Sequence, residues 1–186
     1  MSSPVRAEEL IESRPELMAA VKPLLEARNA IEQQVDDLDR KVMRLVRNDA
    51  QVRRFMTAPG VGPITALCFL ATIDDPTRFK RSRSVGAYVG LTTRRYASGE
   101  TDWTGRISKW GDKMLRSYLY EAANVLLTRV AKWSTLKAWG IRLAKRSGLR
   151  KAKVAVARKL AVILHRMWIE GTEFKWSSKE AATQPA

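Results

Sequence analysis

The sequence predicts a mainly α fold: a long N-terminal coiled-coil helix, then a compact helical domain with a helix-hairpin-helix-like element and one short β-hairpin. Three observations predict it. Leu24, Ile31, Val35, Leu38, Val42 and Leu45 keep a three/four alternation, with polar Arg28 in the slot between Leu24 and Ile31, which is the spacing of a heptad seam. Beyond residue 51, apolar residues recur at helical spacing in runs separated by glycine and proline turns. Residues 91–104 lie in a stretch rich in Asp, Pro, Ser, Thr and Gly and fit a β-hairpin around Ala97-Ser98-Gly99-Glu100.

The elements follow in order. Residues 24–48 form one helix; Leu17 and Val21 extend its register backward, but Pro23 has no N–H to donate and should kink or start the helix. Glu32, Asp36, Asp37, Arg40 and Lys41 make a solvated face around a narrow apolar stripe. Such a stripe packs on another helix, either within this chain's own core or as a coiled coil that holds a homodimer through residues 24–48. In 55-FMTAPGVGPITALCFLATI-73, Gly60 and Gly62 permit positive φ and close backbone approach, and Pro63 suits the first position of the next helix. The N–H groups at that helix start can hold a phosphate, as in helix-hairpin-helix proteins. The structural alternative is an ordinary αα-hairpin.

Residues 74–106 read as loops with one short helix near Ser84–Val89. Arg78, Lys80, Arg81 and Arg83, then Arg94 and Arg95, are basic clusters; Phe79, Tyr88, Tyr96 and Trp103 between them stack on bases or enter the core. Beyond Gly111 a helix turns Met114, Leu115, Tyr118, Leu119, Ala122, Val125 and Leu126 inward. Lys132–Arg146 and Lys151–Glu170 are two more helices, split at Ser147-Gly148. The last carries Val154, Ala157, Ala161, Leu164 and Trp168 on one stripe and Lys151, Arg158, Lys159 and Arg166 elsewhere. This organises the chain as a helical extension over 1–50, a compact domain over 51–176 and a flexible tail over 177–186.

Composition narrows the function. The 186 residues carry a formal net charge of +15, and the charge is uneven: residues 1–50 hold 8 Lys/Arg against 10 Asp/Glu, whereas residues 51–186 hold 26 against 9. A basic domain of this kind calls for a polyanionic partner. One cysteine, Cys68, excludes an internal disulfide framework, and its apolar neighbours suggest an inert buried thiol. His165 is the single histidine and borders the last apolar stripe; with no second ligand beside it, no metal site is expected. No secretory h-region and no apolar run of membrane-spanning length is present, which points to no membrane partner and a cytoplasmic setting.

The stretch 103-WTGRISKWGDKMLR-116 places Ser108 between Arg106 and Lys109, with Arg116 on the first turns of the following helix. A serine hydroxyl needs a base, a metal or an electropositive site before it attacks anything. The three cations supply the last of these. The alternative is that Ser108 caps the helix, although Gly111 stands where a capping box would carry Glu or Gln.

The series APGVGPITA, FKRSRSVGAYVGLTTRR, SGETDWTGRISKWGDKMLR and KAKVAVARKLAVILHRMW resembles the C-terminal transposase domain of the IS-one-ten insertion-sequence family, the DEDD/serine transposases that include bridge-RNA-guided recombinases. The resemblance covers about residues 52–175 and is most specific at Gly-Arg-Ile-Ser-Lys-x-Gly-Asp. It implies that Ser108 is the nucleophile joined to a DNA phosphate, that DNA and a structured guide RNA are partners, and that a coiled coil precedes the domain. It also implies a RuvC-like domain with four metal-binding acidic residues, which this sequence does not show; Mg2+ is expected only there, and no cofactor in this chain. The expected function is cut-and-rejoin transposition of DNA. A non-catalytic helix-hairpin-helix module and a basic RNA-binding subunit are the alternatives, and neither needs a serine at 108.

Overall fold

The computed structural model describes residues 15–98 and 101–177, with backbone alone over 95–98 and 101–104. The chain divides into two compact units after Leu45, rather than after residue 50. The side chains of Arg95, Tyr96 and Trp103, the hairpin tip 99–100 and the expected tail beyond Ser177 lie outside the described residues.

Helix α1, Pro15–Asn48, neither starts at Pro23 nor ends there. A proline removes one bond, to the carbonyl four residues earlier. Both Pro23 and Ala19 are exposed, so water can satisfy the freed carbonyl and the helix continues. Surface pairs Arg28–Glu32 and Asp37–Arg40 lie along it. Of the seam, Leu24, Ile31, Val35, Leu38 and Leu45 are 50 to 69% exposed.

The second unit is helical apart from one hairpin. Asp49 caps α2, Ala50–Met56, accepting from the N–H of Gln51 at 2.8 Å and of Val52 at 3.0 Å. The Pro-Gly-Val-Gly-Pro turn then leads into α3, Pro63–Ile73, with Pro63 at its start as its fixed φ favours. A 3-10 turn, Pro76–Arg78, and α4, Arg83–Tyr88, precede strands β1, Thr93–Ser98, and β2, Thr101–Ile107, which pair antiparallel. Helices α5, Lys113–Thr128, α6, Thr135–Ser147, and α7, Leu149–Glu170, complete the unit. A single residue, Gly148 at φ +83°, separates α6 from α7, so α7 begins two residues before Lys151.

Helix α7 is the axis of the core, packed by α2, α4, α5, α6 and the 3-10 turn. It buries Ala152, Val156, Ala157, Leu160, Ala161, Leu164, His165 and Met167. Each large apolar side chain among these contributes about 1.5–3 kcal/mol, so α7 holds the unit more than any propensity does. Phe55 meets Phe69 and Trp168 edge-on at 5.2 and 5.5 Å beside it.

Three expectations change. Met114 is 58% exposed: the cap fixes the register of α5 so that Leu115, Leu119, Ala122, Ala123 and Leu126 face inward and Met114 turns out. His165 does not border the stripe but is 1% exposed within it, its Nδ1 3.0 Å from the Ser82 hydroxyl and its Nε2 2.8 Å from the Pro76 carbonyl, a tie between α7 and the start of α4. Cys68 is half-buried rather than buried, yet desolvation raises its thiol above the ordinary value and keeps it protonated. Among the described residues, no helix is long and apolar enough to cross a membrane.

Candidate nucleic-acid interface and serine loop

The stretch between β2 and α5 is built by the hairpin. Thr93 pairs with Ile107 but Arg95 with Thr104, so β2 carries one extra residue in the segment Gly105–Arg106. A bulge of this kind bends and twists its strand. Here it re-aims the chain into the loop Ser108–Asp112.

This loop is gripped by the turn after α4. The Ser108 N–H donates to the Thr92 carbonyl at 2.8 Å, and the Lys109 N–H to the Gly90 carbonyl at 3.1 Å. Arg94 donates to the Ser108 carbonyl at 3.1 Å. Close backbone contact requires two glycines. A Cβ on Gly90 (φ +74°) would stand 2.0 Å from the Trp110 carbonyl oxygen, and one on Gly111 (φ +85°) 1.9 Å from that of Tyr88. Lys109 itself sits at φ +58°, a left-handed conformation that a side chain adopts only at a cost. Arg116 closes the clamp: its Nη1 donates to the carbonyls of Val89 at 3.1 Å, Trp110 at 3.4 Å and Asp112 at 3.4 Å.

Ser108 does not cap α5. Asp112 does, its carboxylate accepting from the Leu115 N–H at 2.5 Å. The sequence carried this signal: an Asp directly after a glycine and three residues before a leucine of an apolar helical run is a helix start. Ser108 is half-buried at the mouth of the clamp.

Beside the loop lies a groove of about 1270 Å³ between the hairpin base, the start of α4, and one face of α7. Arg83, Arg106, Lys109, Lys151, Arg158 and Lys159, all singled out in the sequence, line it. Arg150 and Trp139 line it too and were missed. The signal for Arg150 lies in two adjacent rows at four-residue spacing on α7: Arg150, Val154, Arg158 and Val162 in one, Lys151, Ala155 and Lys159 in the other. Each row alternates cation and small apolar residue. Among the described residues no Asp or Glu lines the groove, and the Lys159 ammonium lies 5.1 Å from the centre of the Trp139 ring. The stem of Arg158 crosses α4 so closely that a Cβ on Gly86 would stand 2.8 Å from its Cγ.

Other predicted site residues are placed elsewhere. Arg78 lies over the rings of Tyr88 and Phe79, at 5.5 and 5.7 Å. Lys80 and Arg81 are exposed on the loop before α4. Phe79 packs edge-on against His165 at 5.5 Å, which makes it part of the core side of this turn. Gly60 (φ +83°) abuts α5, where a Cβ would stand 2.2 Å from the Ala122 carbonyl oxygen; Gly62 has open space around it and begins α3. Arg116 is spent on the clamp rather than on the groove.

Residues 52–139 match the model of the family described as the transposase IS116/IS110/IS902 family. A putative transposase y4pF/y4sB of Sinorhizobium fredii is 35% identical over 152 residues, 81% of this chain and 39% of that protein. The transposase for insertion sequence element IS1111A of Coxiella burnetii is 34% identical over 131 residues, 70% and 36% of the two. The transposase for insertion sequence element IS1328 of Yersinia enterocolitica is 32% identical over 143 residues, 76% and 43%. The chain thus spans 36 to 43% of the length of these relatives. The family match covers the turn, the hairpin and the serine loop together, and the relatives extend the likeness over most of the sequence: the chain belongs to the IS116/IS110/IS902 transposase family.

Proposed function

We propose that this chain is the serine-bearing part of a DNA transposase acting in the cytoplasm, that it binds DNA together with a guide RNA, and that Ser108 is its nucleophile. The observation that supports this most is the position of Ser108: relieved of capping by Asp112, fixed through its backbone by Thr92 and Arg94, and adjoining a groove whose charged side chains, among the described residues, are all cations. In the first transesterification, the Ser108 Oγ gives up its proton and attacks phosphorus. The Oγ–P bond forms, the P–O bond to the neighbouring nucleotide breaks, and the departing oxygen takes up a proton. A hydroxyl of the strand to be joined then displaces Oγ and restores the serine. Arg106 and Lys109 stabilise the charge that gathers on the phosphoryl oxygens.

Among the described residues no three His, Cys, Asp or Glu side chains form a set that fits a metal ion. As the family resemblance implies, this proposal assigns Mg2+ to a RuvC-like acidic part of the transposase outside these residues. To these steps this chain contributes the Ser108 hydroxyl and the cations beside it. The reading is tested by trapping the covalent protein–DNA adduct from the assembled transposase and sequencing the linked peptide. Attachment at Ser108 is expected; attachment at any other residue overturns the assignment.

The same proposal assigns the seam of α1 to a second copy of the chain, because five of its apolar residues are exposed and their spacing is that of a two-stranded coiled coil. Replacing Val35 and Leu38 together by Asp would bury unpaired charge in such a seam. The unmodified chain is expected to sediment as a dimer at tens of micromolar and the double variant as a monomer. A monomeric parent chain would remove the dimer from the proposal.

A further inference from the structure

We propose that the groove beside Ser108 seats an unpaired stretch of polynucleotide, its phosphates on the cationic walls and its bases on the apolar floor. This rests on the proposed nucleic-acid function and goes beyond it, since it says that the strand presented to the serine is locally single.

Three observations converge. Among the described residues, fifteen line the groove, of which seven are Lys or Arg and none is Asp or Glu, which calls for an anionic occupant. The volume, about 1270 Å³, exceeds the usual range of about 300–1,000 Å³ for a small-molecule site, so the occupant is extended. The third observation decides between kinds of nucleic acid. Between the cations the surface is apolar, with Ile107, Val154, Ala155 and Val162 available and the indole of Trp139 at the side. A duplex offers phosphates outward and keeps its base faces stacked inside, so it would satisfy the cations and leave this floor in water. An unpaired strand covers both, because every base has an apolar face that stacks on an aromatic or lies on aliphatic surface. The rows on α7 fit that pattern: Arg150 and Arg158 stand roughly 12 Å apart along the helix with Val154 midway, so base and phosphate subsites alternate.

The groove also reaches the chemistry. Ile107 and Lys109, the chain neighbours of Ser108, both line it. Ser108 itself does not line it, so a strand lying in the groove runs past the serine loop at Ile107 and Lys109, unobstructed there by a complementary strand.

The test compares binding of this chain to an oligodeoxythymidylate of about twenty nucleotides, a duplex of equal length and an oligouridylate, all at one salt concentration. The single strand is expected to bind at least about tenfold more tightly than the duplex. Ala155→Trp, which fills the floor and leaves every cation, is expected to weaken single-strand binding about tenfold and duplex binding less than twofold. Trp139→Leu is the second variant and should shift the same ratio even if Ala155→Trp does not fold. A preference for the deoxy strand marks DNA as the occupant and upholds the inference; a preference for the ribo strand keeps an unpaired-strand site but overturns its reading as the strand presented to Ser108. Equal affinity for single strand and duplex, or variants that weaken both alike, overturns the unpaired-strand inference while leaving the cationic groove as a DNA site. Failure to bind any of the three overturns the inference and the nucleic-acid function together.

Discussion

Ser108→Ala is expected to abolish covalent protein–DNA adducts and strand exchange when the chain works with its acidic metal-binding part, guide RNA and donor DNA, while leaving DNA affinity nearly unchanged. A hydroxyl contributes on the order of 1 kcal/mol to affinity as a hydrogen bond, yet no phosphoserine linkage forms without it. Stability should also hold, because the cap of α5 is the Asp112 carboxylate and the backbone bonds of Ser108 to Thr92 and Arg94 do not involve its side chain. Asp112→Ala is the matched control. It removes the cap, should cost about 1 kcal/mol of stability, and should leave adduct formation measurable at a permissive temperature. A folded Ser108→Ala protein that recombines DNA at the parental rate would defeat the nucleophile assignment.

Gly111→Ala is expected to lower strand exchange by more than about 10²-fold with the serine still present, since a displacement near 1 Å at a reacting group has that effect. The added methyl would meet the Tyr88 carbonyl at 1.9 Å, and φ +85° is strained for any L residue. The loop must therefore lift from the turn that positions Ser108. Gly148→Ala separates the two causes, because Gly148 has φ +83° but nothing within 4 Å of its Cβ position. That variant should lose about 1 kcal/mol through backbone strain and keep its activity. Thermal melting and a strand-exchange assay on both variants check this; equal activity in the two would show that the clamp does not position the serine.

Much of the fold was legible because its signals are local. The heptads of α1, the Pro-Gly-Val-Gly-Pro turn and the Ser147-Gly148 break each lie within a few residues of the structure they specify. Pro23 does not start the helix, because whether a proline ends helical pairing depends on whether the freed carbonyl reaches water, and that depends on exposure rather than sequence. The serine loop was half legible. Its cations were evident, but the role of Arg116 depends on Val89, 27 residues earlier, and nothing local distinguishes a guanidinium that will bind phosphate from one that will bind carbonyls. The groove was the least legible feature, since it joins Arg83 on α4, Arg106 on β2 and Trp139 on α6 to the face of α7.

The crossing of Arg158 over Gly86 sets a different kind of limit from the one at Gly111. At Gly111 the obstructing atom belongs to the main chain, so no substitution elsewhere can make room and the position admits no compensating partner. At Gly86 the obstructing atom is the Cγ of a flexible side chain. A larger residue there can be rescued by trimming Arg158, but the rescue removes one of the cations from the groove. Among relatives of this chain the two positions should therefore vary as a pair or not at all, linking the interior of α4 to the charge of a surface it does not itself contact.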